Sequence, residues 1–256
     1  MSTRDAAAGA LERGRAFVAA RGGALERARA EALRAPERVP ALVALLEGSF
    51  PGEAEPLPGA ALEVLAALDD ARALAVPLAE RVCRALAAAQ EEDGSWALAP
   101  GDPPAERLVA TGMLAGHLAR TRFGRPEGLE RAADFLGAHF SPERVKGGEA
   151  WGALAAYAHC FANVSHEASD GILQWCGREL ERGYRSRLFD AVRAARVLVL
   201  CDAGAIPGAR LDAGGLALAV VAEQQADGGW LEASDPGPAA RVAHTLLALS
   251  VLARGR

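Results

Sequence analysis

One seven-residue pattern occurs twice in the chain and restricts its possible folds more than any other feature. Residues 90–96 read QEEDGSW, and residues 224–230, 134 positions later, read QQADGGW. Each copy lies between two apolar stretches with helical spacing, so the repeated unit consists of a helix, a turn and a second helix. Two copies of this unit predict an array of packed helix pairs.

Weaker versions of the unit occupy the interval between the two copies. Residues 129–140 and 149–162 form one helical pair, and residues 172–182 and 188–201 form another. The interval therefore divides into three steps of about 45 residues, the length of a two-helix repeat with its loops. In all, the sequence predicts roughly eleven or twelve helices.

The repeats extend through most of the chain. The clearest region is residues 58–254, and residues 1–50 add N-terminal helices. Residues 50–58 contain three prolines and are the best candidate for a linker, but so short a segment does not by itself define a domain boundary. We therefore expect a single all-helical domain over residues 1–256.

Composition supports this fold class. Hydrophobic residues make up 51% of the chain and aromatic residues only 5%, and alanine dominates the hydrophobic class. Such a composition favours helices that pack closely through small side chains and disfavours β-structure. The cysteines Cys83, Cys160, Cys176 and Cys201 are widely spaced, and we expect them to be buried thiols in a reducing compartment.

Charge and hydropathy exclude several classes of partner. The formal net charge is −5, which argues against a nucleic-acid-binding protein because such proteins carry basic patches. No segment approaches the roughly 18 apolar residues of a membrane span, and the N-terminus resembles an ordinary helix rather than a signal peptide. We therefore expect a cytoplasmic protein with no membrane span and no nucleic-acid partner.

The repeated turn has a structural role. Glycine ends a helix without steric cost because it adopts positive φ, and aspartate bonds the amides of the turn. A glutamine in the last helical turn can bond neighbouring carbonyls, and a tryptophan can fill the gap between helix pairs. We interpret Gln90, Trp96, Gln224 and Trp230 as stabilising rather than catalytic residues.

The two turns resemble the QW-type repeat of the prenyltransferase and squalene-cyclase superfamily. The segment that follows the second turn, residues 242–249 (VAHTLLAL), is similar to the apolar helix after that repeat. The resemblance covers residues 58–254. It implies an α/α toroid of five to six helix pairs, with inner helices around a central apolar cavity that takes a small hydrophobic, isoprenoid-like ligand.

One activity of that superfamily is protonation-initiated terpene cyclisation, which uses an Asp-x-Asp-Asp motif. Here the nearest string is ALDD at residues 67–70, which lacks the first carboxylate. We expect Asp69 and Asp70 to be a solvated pair at a helix end. The chain also has only 13 aromatic residues, too few to wall a cavity for carbocations. Cyclisation of a long polyene is therefore disfavoured.

A second activity is protein prenylation by β-subunits that hold zinc through Asp, Cys and His. Asp190 and His244 match two of these ligands, but Val192 stands where the cysteine should be. We therefore predict no metal and no cofactor. Three further histidines, His117, His139 and His166, are isolated in sequence, and we expect them to be surface or satisfied residues.

Alignment of the inner helices suggests a site at their N-terminal ends, where helix dipoles favour anions. Charged residues recur there, and they give candidates for acid–base catalysis and for binding an anionic group. An ordinary ring of solvated salt bridges is the alternative. The candidate catalytic residues are Asp190, His244 and Glu149, and the candidate substrate-binding residues are Arg107, Arg241, Arg193 and Trp151.

These observations favour a terpene-cyclase-like enzyme, a cyclase, isomerase or lyase of a biosynthetic pathway that acts on a small isoprenoid-like substrate by acid–base chemistry. The first alternative is a toroid without catalysis that binds a lipid or a protein partner, a second copy of the chain included. The second alternative is a zinc enzyme similar to a protein prenyltransferase β-subunit. Residues alone do not separate the three, since one fold hosts many functions.

Overall fold

The computed structural model describes residues 3–50, 58–99, 101–231 and 237–254, with side chains from residue 5 onward. Within them all regular structure is helical, with twelve α-helices, two short 3₁₀-helices and no strand, so the predicted all-α class and helix number are confirmed. Most of the predicted linker, residues 51–57, lies outside the described residues. The helices are α1 (Thr3–Arg21), α2 (Ala24–Ala32), α3 (Val39–Ser49), α4 (Pro58–Asp70), α5 (Pro77–Ala89), α6 (Pro104–Ala119), α7 (Pro126–Ala138), α8 (Trp151–Asn163), α9 (Ser169–Arg185), α10 (Ala191–Leu200), α11 (Ala213–Glu223) and α12 (Pro238–Arg254).

Helix starts follow from the sequence. Five helices begin at a proline, which is suited to the first helical position because its φ is already helical and its missing N–H would have no partner there. Asp190 and Asp212 cap α10 and α11, each by accepting a hydrogen bond from a backbone N–H three residues later. The five prolines are Pro58, Pro77, Pro104, Pro126 and Pro238.

The even-numbered helices pack on one another in chain order. Helix α4 contacts α6, α6 contacts α8, α8 contacts α10, α10 contacts α12, and α12 contacts α2. The odd-numbered helices α5, α7, α9 and α11 pack against these even-numbered neighbours. We refer to α4, α6, α8, α10 and α12 as the inner helices. The predicted toroid itself stays a prediction.

Two glycines let α6 and α8 approach closely. A Cβ atom on Gly112 would lie 2.7 Å from the backbone oxygen of Ala156, and one on Gly116 would lie 2.3 Å from the ring of His159. Any other residue at these positions would force the two helices apart. Gly116 therefore allows the His159 ring to lie directly against α6.

The two repeat turns make the same contacts. The indole N–H of Trp96 donates to the carbonyl of Leu86 (2.9 Å), and that of Trp230 donates to the carbonyl of Val220 (2.7 Å). In both turns the backbone N–H of the tryptophan also donates to the hydroxyl of a threonine fifteen residues later, Thr111 in the first turn and Thr245 in the second. Both rings are buried, so their predicted stabilising role is consistent with their positions.

The glutamines connect each turn to a different helix. Gln90 donates to the carbonyl of Gly128 in α7, and Gln224 donates to the carbonyl of Ala10 in α1, both over 2.8 Å. In each case an arginine from the same helix donates back to the glutamine oxygen. Helix α1 therefore occupies, beside the last repeat, the place that α7 occupies beside the earlier one. The first helix of the chain and its last repeat are joined.

Two further features of the fold are the state of the cysteines and the absence of a membrane-spanning helix among the described residues. All four cysteines are buried free thiols, and burial raises the pKa of Cys160 and of Cys201 to about 12. Among the described residues no helix combines the length and the apolar character needed to cross a membrane.

The repeat turns generate a first prediction. Gly94 and Gly228 have φ near +90°, and an added Cβ would lie 2.4 and 2.5 Å from the carbonyl oxygens of Arg131 and Arg13. Gly147 has the same positive φ, but nothing lies within 4 Å of an added Cβ. Alanine at Gly147 should cost about 1–2 kcal/mol, and alanine at Gly94 or Gly228 roughly 1–3 kcal/mol more.

Urea unfolding of the three variants measures this difference. Equal losses at all three positions would mean that the turns do not dock tightly on α7 and α1. A loss at Gly94 without one at Gly228 would show that the contact between the chain's two ends is dispensable.

Candidate functional site

At the N-terminal end of α10, two of the predicted catalytic residues lie together. Oδ1 of Asp190 accepts a hydrogen bond from the backbone N–H of Arg193 (2.7 Å), and this bond caps the helix. Oδ2 of Asp190 lies 3.4 Å from Nε2 of His244 in α12. The exposed fractions of the two side chains are 13% and 3%. The structure therefore forms a buried carboxylate–imidazole pair from residues 54 positions apart.

The environment of this pair favours a neutral imidazole. Burial lowers the pKa of His244, the charge of Asp190 opposes that shift, and Arg193 adds to it. A neutral imidazole can accept a proton. A second carboxylate lies close by, since Glu223 accepts the backbone N–H of Ala191 over 3.0 and 3.1 Å, and burial raises the pKa of Glu223.

Two further predicted residues border the pair. The indole N–H of Trp151 donates to the carbonyl of Arg193 (3.2 Å), and the Arg193 guanidinium lies 5.7 Å from the centre of the Trp151 ring. Glu149, the third predicted catalytic residue, is exposed in the turn before α8. Direct contacts therefore connect four of the seven predicted site residues, namely Asp190, His244, Arg193 and Trp151.

The other two predicted binding residues belong to the repeat turns. Arg107 forms an ion pair with Asp93 (3.1 Å), and Arg241 forms the same pair with Asp227 (2.6 Å). Each guanidinium is therefore held by the aspartate of its own turn. An anionic ligand would have to compete with these carboxylates.

At the opposite, C-terminal end of the inner helices, the prediction that Asp69 and Asp70 form a solvated pair is wrong. Their side chains are only 4% and 7% exposed. A carboxylate pair at the end of a helix has the same sequence pattern whether water or another helix faces it. Here the end of α4 faces the other inner helices, whose arginines reach the pair.

Asp69 is the centre of a buried charge cluster. Its Oδ2 lies 3.2 Å from Nδ1 of His117, and its Oδ1 forms ion pairs with Arg254 (2.7 Å) and Arg120 (3.2 Å). Both arginines also approach Asp202, which lies just after α10. The last turn of each of four inner helices, or the residues just after it, therefore contributes a charged or imidazole group to one cluster.

The pKa of Asp69 reflects these contacts. Burial alone would raise the pKa of this carboxyl, but the hydrogen bond from His117 and the positive charges of Arg120 and Arg254 lower it well below its ordinary value. Asp69 is therefore ionised at neutral pH and is not a source of protons.

A pair of histidines extends the cluster into the interior. His117 and His159 are fully buried, and their ring centres lie 4.5 Å apart. Nδ1 of His159 bonds the carbonyl of Leu200 (2.8 Å), and burial lowers the pKa of His159 well below its ordinary value. Nε2 of each ring is buried without a hydrogen-bond partner. His117 is therefore not a surface residue, and only its Nδ1 has a hydrogen-bond partner.

Asp70 organises a second, adjoining network. It contacts Arg196 closely and lies 3.4 Å from Arg29. Arg196 also donates to the hydroxyl of Ser250 (3.0 Å). This network links α4 to α10 and α12 through buried polar groups, and to α2 through the partly exposed Arg29.

A cavity of about 690 Å³ lies over the Asp69 cluster. Its wall combines a few small apolar side chains with Asp69, Asp202, Asn163 and several guanidiniums. The apolar residues are Leu74, Ala75 and Ala119, and the arginines are Arg72, Arg120, Arg122 and Arg254. The cavity is therefore suited to an anionic group.

The chain matches no protein-family model, no curated protein and no solved structure. The resemblance of its two turns to the prenyltransferase and squalene-cyclase repeat accordingly stays a prediction.

The Asp69 cluster generates a second prediction. Asp69→Asn should destabilise the protein by about 3–5 kcal/mol, because it leaves Arg120 and Arg254 with only the more distant and exposed Asp202 as a charge partner. The folded-state pKa of Asp69 is lowered, so its contribution to stability is present above the unfolded pKa of about 3.9 and is lost as the pH falls below it. Asp69→Asn should therefore remove part of the acid dependence of unfolding.

Chemical unfolding between pH 7 and pH 3 measures both effects. Asp134→Asn is the matched control, because that carboxylate pairs with His166 but is 64% exposed. Equal losses in the two variants would contradict a stabilising charge cluster at Asp69.

Proposed function

We propose that this protein binds a small ligand with an anionic group and an apolar part in the cavity at the C-terminal end of the inner helices. The observation that carries the proposal is the convergence of four arginines on that cavity. Guanidiniums bind phosphate and carboxylate groups through paired hydrogen bonds. Four positive charges face the two negative charges of Asp69 and Asp202, which leaves a positive excess.

The four arginines divide into two classes. Arg120 and Arg254 are 12% and 11% exposed and are fixed by Asp69. They also neutralise helix ends that would otherwise repel an anion, since Arg120 donates to the last carbonyls of α10. Arg72 and Arg122 are exposed at the same cavity. We assign to this exposed pair the contact with the ligand.

The resemblance of the repeats suggests the ligand class. An isoprenoid diphosphate combines an anionic head with an apolar chain, which suits arginines beside Leu74, Ala75 and Ala119. Farnesyl and geranylgeranyl diphosphate are therefore the first compounds to test. Inorganic diphosphate and farnesol separate the contribution of the head from that of the chain.

A third prediction follows from the exposed arginines. Loss of a charge-assisted hydrogen bond costs about 1.5–3 kcal/mol, so the double variant Arg72→Gln/Arg122→Gln should weaken farnesyl diphosphate binding by roughly 10-fold or more. Its melting temperature without ligand should stay unchanged, because both side chains are exposed. Calorimetric titration and thermal-shift assays measure the two quantities.

Arg81→Gln provides the control, since Arg81 is an exposed arginine paired with Glu47 on another face. Binding that is equal in the double variant and the wild type would contradict a site at this cavity. Failure of all four compounds to bind the wild type would contradict the ligand class.

The Asp190–His244 pair supports a second candidate function, acid–base catalysis at a separate site at the N-terminal end of the inner helices, away from the arginine-lined cavity. The observation that favours it is the 3.4 Å approach of Oδ2 to Nε2 without a hydrogen bond, in a buried environment. In this proposal His244 accepts a proton from the substrate, and Asp190 stabilises the imidazolium that results. A lipid- or protein-binding module without catalysis would not need this pair.

A fourth prediction uses two equivalent caps. Asp190→Asn should abolish turnover of farnesyl diphosphate and leave the melting temperature nearly unchanged, because asparagine caps a helix as well as aspartate does. Asp212→Asn alters the same kind of cap at α11, away from His244, and should retain both turnover and stability.

Mass spectrometry of products and a thermal melt measure the two outcomes. Turnover that persists in the Asp190 variant would contradict the catalytic role. A wild type that binds the compound but converts none of it would favour the module without catalysis.

A further inference from the structure

The buried histidines His117 and His159 each have one ring nitrogen without a hydrogen-bond partner. Nε2 of His117 and Nε2 of His159 each lie in the interior with no hydrogen-bond partner. Both side chains are fully buried. A buried polar atom without a partner costs free energy, and two such atoms from adjacent helices at one place indicate a missing ligand.

The contacts on the other side of each ring explain which atoms are available. Nδ1 of His117 faces Oδ2 of Asp69 (3.2 Å), and Nδ1 of His159 faces the carbonyl of Leu200 (2.8 Å). A carbonyl can only accept, so Nδ1 of His159 carries the proton and its Nε2 presents a lone pair. The contact of His159 with a backbone carbonyl is of the kind that orients a metal-binding histidine.

From this geometry we propose that His117, His159 and Asp69 bind a divalent transition-metal ion, with Zn²⁺ as the best match. One donor atom from each residue can be selected so that all three lie within 4.8 Å of one another. Donor atoms of a tetrahedral zinc site are about 3.4 Å apart. Zinc binding would therefore bring the donor atoms closer together by at most about 1.4 Å.

The charges of the cluster determine which ions fit. Oδ1 of Asp69 is already bound by Arg120 and Arg254, and Oδ2 contacts Nδ1 of His117, so the metal would take Oδ2 in place of that contact. Because two guanidiniums compensate this carboxylate, the imidazole nitrogens supply most of the affinity. Zn²⁺ accepts nitrogen ligands, whereas Mg²⁺ and Ca²⁺ require oxygen ligands. We therefore expect binding of Zn²⁺ and Co²⁺ but not of Mg²⁺ or Ca²⁺.

The position of the site suggests an open coordination place. Asp69 also lines the cavity of about 690 Å³, together with Asn163, whose side-chain N–H groups contact the backbone oxygens of His159 and Leu200. A water molecule or a ligand atom from the cavity could reach the fourth position of the ion. This inference does not rest on the proposed anionic ligand, because the metal is tested alone.

The test is a titration of the full chain, without a histidine tag and stripped of metal, with Zn²⁺ and with Co²⁺. We expect one equivalent of Zn²⁺ by calorimetry and by metal analysis after dialysis. Co²⁺ should give the intense visible absorption of a tetrahedral site. The same chain should bind neither Mg²⁺ nor Ca²⁺.

The variants His117→Gln and His159→Gln should each lose the Zn²⁺ equivalent while circular dichroism verifies that they remain helical. His139→Gln is the matched control, because His139 is an exposed histidine at the end of α7, and it should retain the equivalent. A wild type that binds no Zn²⁺ would overturn the proposal, whether or not the variants fold. Binding that survives in either variant, or that disappears in the control, would overturn it as well.

Discussion

The packing of the inner helix ends depends on the ion pairs and the hydrogen bond that the buried carboxylate of Asp69 makes. One carboxylate accepts contacts from His117, Arg120 and Arg254, which come from two other helices. Burying these arginines without a partner would be strongly unfavourable, so the helix ends can meet only where the carboxylate meets them. The cluster therefore fixes the relative positions of α4, α6 and α12 more strictly than apolar packing among alanines would.

The contact between the two ends of the chain is the second constraint. Gln224 and Gly228 dock the last repeat on α1 with the same contacts that Gln90 and Gly94 make with α7. Helix α1 thereby buries surface of α12 that a linear array would leave exposed. Unlike an open solenoid, in which each repeat contacts only its neighbours, this chain makes its terminal helices depend on each other.

The two ends of the inner helices differ in chemistry, and this difference motivates the proposals. At the N-terminal end, a carboxylate and a neutral imidazole are buried together at Asp190 and His244. At the C-terminal end, arginines face a cavity above two histidines with unused nitrogens. The acid–base pair and the proposed metal site would be held mainly by helices, which favours precise geometry, whereas Arg72 and Arg122 of the proposed anion site lie in the turns after α4 and α6.

The sequence alone determined the helical class, the repeat and the stabilising role of the turns, because these depend on local spacing and on the conformational preferences of Gly, Asp and Pro. It also brought Asp190 and His244 into one hypothesis, since equivalent positions of a repeat lie at the same end of their helices. Only the tertiary structure decided that Asp69 and Asp70 are buried and that His117 and His159 are neighbours. A helix end has the same sequence in water and against another helix, and that difference depends on which distant residues pack there. Recurrence of polar residues at the last turns of apolar helices was the one signal that could have indicated this cluster beforehand.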